Sequence, residues 1–309
     1  MHDVLKGSLV ALVTPMSSTG QIDYDALTEI IEQHAQAGTA ALVVAGTTGE
    51  SATISAQEQA RLIQYVVERC HGRMPVVAGM GANSTHEAVE LALTARDAGA
   101  VSGLSVVPYY VRPNQDGMRR HFETVALETD FPQILYNIPA RVGADMHDTT
   151  VVALAQDPRI VGIKDATSDM ARAARLFEQL PSRFGCYSGD DATTLAYMML
   201  GGHGTISVAA NVAPRAMAQL CALALNGQAK SARQLNAKLL PLYEALSIDT
   251  NPIPVKHMMA QLGWTSDGIR LPLVPLAEDK RARVDAILAQ LAKWCNDVAE
   301  AAARTKSDA

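Results

Sequence analysis

The sequence predicts an α/β fold, a (β/α)8 TIM barrel with an all-helical C-terminal extension. Three observations carry the prediction. Short runs rich in Val, Ile, Leu and Ala alternate eight times with longer amphipathic stretches before residue 226. Such runs, apolar on both faces, mark strands buried in a parallel sheet. Eight βα units in succession favour a closed barrel over an open doubly wound sheet, which usually has fewer. After Gly227 the strand pattern stops and only helical stretches follow. The 309 residues fit one barrel, and a composition 48% apolar and 19% charged supplies a large core.

The first run covers residues 8–13, and a helix follows over 23–36 with Leu27, Ile30 and Ile31 on one face. The second run, 41–45, precedes a helix over 56–69; the third, 75–79, a helix over 85–98; the fourth, 103–107, a helix over 115–128. The remaining pairs are 133–137 with 148–156, 160–164 with 169–180, 184–188 with 192–200, and 205–209 with 214–225. Helices are then expected over 230–246, 255–262 and 280–303, punctuated by the prolines of "NPIP" and "LPLVP". The expected division is a catalytic barrel over 1–226 and a helical extension over 227–309 packed on it, with residues 305–309 frayed.

Composition excludes several classes of function. A net charge of -6 argues against a nucleic-acid partner, which needs a basic face. Cys70, Cys186, Cys221 and Cys295 form no CxxC pair and no zinc spacing, and read as reduced core cysteines of a cytoplasmic protein. The histidines make no HxxxH or HxH, so no metal is expected; GxGxxG between strand and helix and GxSxG are also absent. The first apolar run ends at Thr14-Pro15, too short for a signal peptide with a cleavage site. No stretch reaches the ~20 apolar residues that span a membrane.

Barrel enzymes carry their sites at the C-terminal ends of the strands. The segments there are "GTTGES" (46–51), "PYY" (108–110), "YNIPARVG" (136–143), Lys164, "SGDD" (188–191) and "ANV" (210–212). Lys164 closes an apolar strand. Burial disfavours the ammonium form of a lysine, and a neutral amine can form a Schiff base with a ketone or aldehyde. The iminium then drains electrons from the adjacent carbon, so that carbon–carbon bonds can be made or broken. The competing reading, a lysine paired with a strand-end carboxylate such as Asp165, has about equal weight from position alone.

Tyr110 and Tyr136 end two other strands, and Thr47 could link them into a proton relay. Each tyrosine taken singly is more simply read as amphipathic packing. The turn 46–49 offers closely spaced backbone N–H groups ahead of the second helix, suited to a carboxylate or phosphate, and is not a P-loop because no lysine follows its second glycine. Arg141 could clamp a carboxylate bidentately or stand solvated in its loop.

Together "GTTGESAT", "PYY", "ILYNIPAR", "GIKDAT", "SGDDAT", "GGHGTISV", "NVAPRAM" and "NPIPVK" resemble the dihydrodipicolinate synthase group of class I Schiff-base aldolases, the N-acetylneuraminate lyase superfamily, from about Gly7 to Pro275. The resemblance implies that Lys164 is the Schiff-base lysine and pyruvate the first substrate. It makes Tyr136 the proton-relaying phenol, with Thr47 and Tyr110 its partners in a triad. Tyr110 would reach in from a neighbouring subunit, implying a homodimer or homotetramer. Thr47 and Thr48 match the residues that hold the pyruvate carboxylate, Arg141 the arginine that binds the second substrate, and Gly189 and Ile206 pocket positions near pyruvate.

The "YNIPAR" form implies L-aspartate 4-semialdehyde as the second substrate and 4-hydroxy-tetrahydrodipicolinate as the product, toward diaminopimelate and lysine. No cofactor is implied beyond the covalent pyruvate. Val107, Val111, Ala140 and Val142 depart from the polar residues usual there. Ser51, Ala52, Asn83, Glu87 and Tyr109 match a lysine-regulatory site. Ala56 and Gln59 stand where lysine-sensitive members often carry histidine, so weak or absent inhibition is expected. Two alternatives stay open: an aldolase of the same chemistry acting on another keto acid or aldehyde, and a non-catalytic barrel that binds a keto acid.

Overall fold

The computed structural model describes residues 4–298. Its strands are β1 (Gly7–Ala11), β2 (Ala41–Val44), β3 (Val76–Gly79), β4 (Ser102–Val106), β5 (Gln133–Asn137), β6 (Ile160–Asp165), β7 (Gly185–Ser188) and β8 (Gly204–Ser207). They are parallel and adjacent in chain order, and β8 closes on β1 with Leu9 opposite Ile206. The expected barrel is therefore the observed one, with strand ends shifted by a residue or two.

Successive strand residues face opposite ways. Leu9, Ala11, Val43, Val77, Leu104, Ile134 and Ile206 fill the barrel, while Val10, Leu12, Leu42 and Val44 pack outward under the helices. This double burial is why the strands read as unbroken apolar runs. The Tyr187 ring also enters the barrel, and a Cβ on Gly185 would lie 2.5 Å from its hydroxyl, so only glycine leaves room there.

The barrel helices are α1 (Tyr24–Ala37), α2 (Ala56–Cys70), α3 (Thr85–Asp97), α4 (Gln115–Thr129), α5 (Pro139–Val142), α6 (Asp148–Leu154), α7 (Met170–Phe177), α8 (Thr194–Met199) and α9 (Pro214–Leu225). Side chains of Asp23, Ser55, Ser84, Asn114 and Asp169 accept N–H groups of the first turns of α1, α2, α3, α4 and α7, and Ser55 forms a capping box with Glu58. The short α5 was expected as loop; one turn is too brief to show periodicity, and Pro139 at its start and the left-handed Gly143 at its end are its local marks.

The helices α10 (Ala229–Leu246), α11 (Ile253–Gln261) and α12 (Glu278–Leu291) follow. Leu239, Leu242, Val255, Met258, Val284 and Leu288 join the same continuous apolar cluster as Val10, Leu12, Leu27 and Ile30. Helix α12 ends before the expected residue 303. The backbone turns over 292–294, which lets Cys295 and Val298 bury in that cluster; residues 299–309, including the expected frayed end, lie outside the described residues. Among the described residues no helix is long and apolar enough to cross a membrane.

Candidate active site

Lys164 stands opposite Tyr136 of β5 and Tyr187 of β7 in the sheet register, and is 5% exposed. Its Nζ lies 4.2 Å from the centroid of the Tyr136 ring. The ion pair with Asp165 that the sequence left open is not formed. Neighbours on a strand face opposite ways, and Asp165 instead meets Arg172 of α7 at 3.4 Å and accepts the Thr167 N–H at 2.9 Å. Among the described residues no carboxylate meets the Lys164 ammonium.

Gly189, just after β7, lets the chain pass close to this lysine: a Cβ there would lie 3.1 Å from Lys164 Cγ and 2.7 Å from Ala166 Cβ. Ile206, 1% exposed, belongs to the barrel interior. Asp191 accepts the N–H groups of Val208 at 3.1 Å and Ala209 at 2.8 Å, tying the end of β7 to the turn after β8. Burial raises the pKa of its carboxyl.

The turn after β2 is held in an unusual shape. Ala45 (φ 54°) and Glu50 (φ 59°) both occupy the left-handed region, costing of order 1 kcal/mol each. Hydrogen bonds from Glu50 N to Thr47 O (3.1 Å), Ser51 N to Gly46 O (3.2 Å) and Thr14 Oγ1 to Gly49 O (2.7 Å) fix it. Among the described residues the N–H groups of Thr47 and Thr48 meet no acceptor. The turn stands ahead of α2 as expected, with a 3-10 turn, Ser51–Thr53, between them. No hydrogen bond joins Thr47 to the Tyr136 hydroxyl among the described residues.

Three residues of the extension hold this turn, and sequence reading assigned none of them a role. Asn251 Nδ2 donates to Thr48 Oγ1 at 3.0 Å. Lys256, 1% exposed, pairs with the buried Glu50 carboxylate and donates to Gly268 O at 2.7 Å. Burial lowers the Lys256 pKa and Glu50 opposes that shift. Arg270 donates its N–H to Glu50 at 3.1 Å and binds Glu58 and Thr53 O, and this hydrogen bond to Arg270 holds the Glu58 pKa down at about 2.

Tyr110 stands apart: its φ is 69° and it is 88% exposed, so the protomer does not bring it against Tyr136 and Thr47. Arg141, on α5, is exposed and engages no carboxylate among the described residues. Its segment is fixed from below. The Asn137 amide donates to Asp145 at 2.7 Å and accepts the Met146 N–H at 3.1 Å. Arg172 donates to Met146 O at 2.6 Å and pairs with Asp145 and Asp148. One guanidinium thus braces both the strand end beside Lys164 and the loop that carries Arg141.

Of the departures, Val107 and Val142 are buried while Val111 and Ala140 are exposed. Ser51 and Ala52 lie in the 3-10 turn, Asn83 precedes α3 and Glu87 lies in its first turn. Partial burial and then the Glu87 charge raise the Tyr109 pKa. Gln59 is buried and donates to Gly79 O at 2.6 Å. Among the described residues no group of three or more His, Cys, Asp or Glu is placed to hold a metal ion.

The chain is similar along its length to known proteins. A 4-hydroxy-tetrahydrodipicolinate synthase of Aromatoleum aromaticum is 51% identical over 281 residues, covering 91% of this chain and 96% of that protein. One of Thiobacillus denitrificans is 52% identical over 272 residues, covering 88% and 92%. The crystal structure of dihydrodipicolinate synthase from Aquifex aeolicus superposes with a TM-score of 0.90 at 43% identity, over 92% of this chain and 97% of that one. The chloride-inhibited dihydrodipicolinate synthase of Acinetobacter baumannii, complexed with pyruvate, gives 0.92 at 44% identity over 93% and 99%. The sequence also matches the description of the Dihydrodipicolinate synthetase family across residues 4–291, and with a barrel, a strand-end lysine and relatives that agree along its length, the chain belongs to that family.

Proposed function

We propose that this chain condenses pyruvate with L-aspartate 4-semialdehyde to give 4-hydroxy-tetrahydrodipicolinate through a Schiff base on Lys164. The observation that carries the reading is a buried lysine at the barrel mouth, facing the Tyr136 ring and no carboxylate, in a family whose similar members bear that synthase's name. The Lys164 amine adds to the pyruvate ketone and the carbinolamine loses water to the iminium. Loss of a methyl proton gives the enamine, whose carbon attacks the aldehyde. The semialdehyde amino group then displaces the lysine nitrogen and closes the ring, so one water leaves in total.

Each residue then has a role. The open N–H groups at Thr47 and Thr48 and the Thr48 hydroxyl suit the pyruvate carboxylate. Tyr136 relays protons with Thr47 and with Tyr110 of a neighbouring subunit; the 88% exposure of Tyr110 supports an assembly of two or four copies. Arg141 takes the carboxylate of the semialdehyde. Gly189 and Ile206 bound the pyruvate pocket. The catalytic unit is residues 1–226, and 227–309 supports it. Ser51, Ala52, Asn83, Glu87 and Tyr109 form the site for lysine; Gln59 is committed to the β3 backbone and Ala56 offers no polar group, so inhibition is weak. The four buried free cysteines suit a reducing cytoplasm.

Borohydride reduction in the presence of pyruvate, followed by peptide mass spectrometry, tests the reading. A reduced pyruvyl adduct on Lys164 is expected. A folded protein with no adduct would sink it and favour a keto-acid-binding barrel without turnover. Substrate profiling with several aldehydes tests the second substrate, since Val107, Val111, Ala140 and Val142 stand where synthases usually carry polar residues.

A further inference from the structure

We infer that Asn251 and Lys256, in the helical extension, are positioning residues that set the turn 46–50 for carboxylate binding. The inference rests on the reading of that turn as the pyruvate-carboxylate site. The turn is entered through Ala45 and ends in Glu50, both L-residues in left-handed backbone, so local preference opposes its shape and something else must hold it. The extension supplies that hold at two points. Asn251 reaches Thr48 across 203 residues of sequence, and Lys256 reaches Glu50 across 206.

Each contact has a consequence for the site. A threonine hydroxyl has one proton and two lone pairs. By accepting from Asn251 at 3.0 Å, Thr48 Oγ1 keeps its own proton free to donate, which a carboxylate requires. The Lys256–Glu50 pair is buried on both sides. Buried ion pairs are poor sources of stability compared with apolar packing, and what this one provides is geometry. It pins Glu50, the last residue of the turn, while Arg270 N–H fixes the second carboxylate oxygen. Among the described residues the buried Asn251 Oδ1 atom meets no hydrogen-bond donor, so the amide is held by its bond to Thr48 rather than by a network of its own.

The test is a double-mutant cycle on the intact enzyme with Asn251→Ala, Thr48→Val and both together, reading KM for pyruvate, KM for the semialdehyde at saturating pyruvate, kcat and the thermal midpoint. Asn251→Ala is expected to raise the pyruvate KM roughly three- to tenfold, the worth of one neutral hydrogen bond, and to leave the semialdehyde KM within about twofold. The double variant should be no worse than Thr48→Val alone, because the two residues act through one hydroxyl. An unchanged pyruvate KM in Asn251→Ala, or additive losses spread over both substrates with a lowered midpoint, would overturn the inference. If Asn251→Ala does not fold, Asn251→Leu takes its place, and failure of both to fold would make the role structural and overturn it too. A normal pyruvate KM in Thr48→Val would instead overturn the reading of the turn itself, and the inference with it.

Discussion

Gly189→Ala puts a single methyl group against the reactive lysine. The new Cβ would stand 2.7 Å from Ala166 Cβ, 3.1 Å from Lys164 Cγ and 3.2 Å from Ala166 Cα, where ordinary contacts are 3.4–4 Å. The shortfall at Ala166 is about 0.7 Å even against the closest ordinary contact. Ala166 is anchored by its N–H on Asn137 O at 2.9 Å, and Gly189 by its own on Asp165 O at 2.7 Å. With Ala166 anchored, the new methyl is pushed away from it and onto the lysine stem, the softer neighbour, so part of the displacement passes to Lys164. Overpacking of this kind costs about 1–3 kcal/mol. If that cost appears as displacement of the amine from its reacting position, the rate of Schiff-base formation falls roughly five- to 150-fold. Gly189 has no positive φ, so alanine brings no backbone penalty to confuse the result. The assay is the rate of borohydride-trapped adduct at fixed pyruvate, beside kcat and the thermal midpoint. A wild-type trapping rate with a lowered midpoint would refute the reasoning, because the strain would then have gone into the backbone.

Lys164→Ala should abolish turnover and adduct formation while the thermal midpoint stays level or rises, since no carboxylate loses its partner; a misfolded variant would mark the lysine as structural. Tyr110→Phe should lower kcat roughly ten- to a hundredfold with little change in midpoint, and an unchanged rate would remove it from the relay. Stability should fall with acid through His34, whose burial lowers its pKa from 6.5 to about 3. The unfolded chain takes up the proton below about pH 6.5 and the folded chain does not until far lower. The contribution is therefore intact above that pH and is lost as pH falls, by about 2 kcal/mol between pH 7 and pH 5. Urea midpoints measured over that range should decline less steeply in His34→Asn; an identical slope would count against it.

The sequence by itself determined the barrel. Its strands are buried on both faces, so each leaves an apolar run, and the helices between them carry their own capping residues, as Ser55 with Glu58 does. It also singled out Lys164, because a cation at the end of such a run is conspicuous against its neighbours. Local pattern could not say which way that lysine was committed. The alternation of side chains across β6 decided it, sending Asp165 out to Arg172 and leaving Lys164 beside Tyr136. The single turn α5 was likewise too short to leave a period. Tertiary structure alone revealed that the extension holds the turn after β2, and that Arg172 braces both the lysine strand and the Arg141 loop. Those contacts join residues far apart in the chain, and a buried lysine in α11 looks in sequence like any other helical lysine. What a side chain does there depends on the charge that folding brings to it, which neither its own type nor that of its neighbours in sequence encodes.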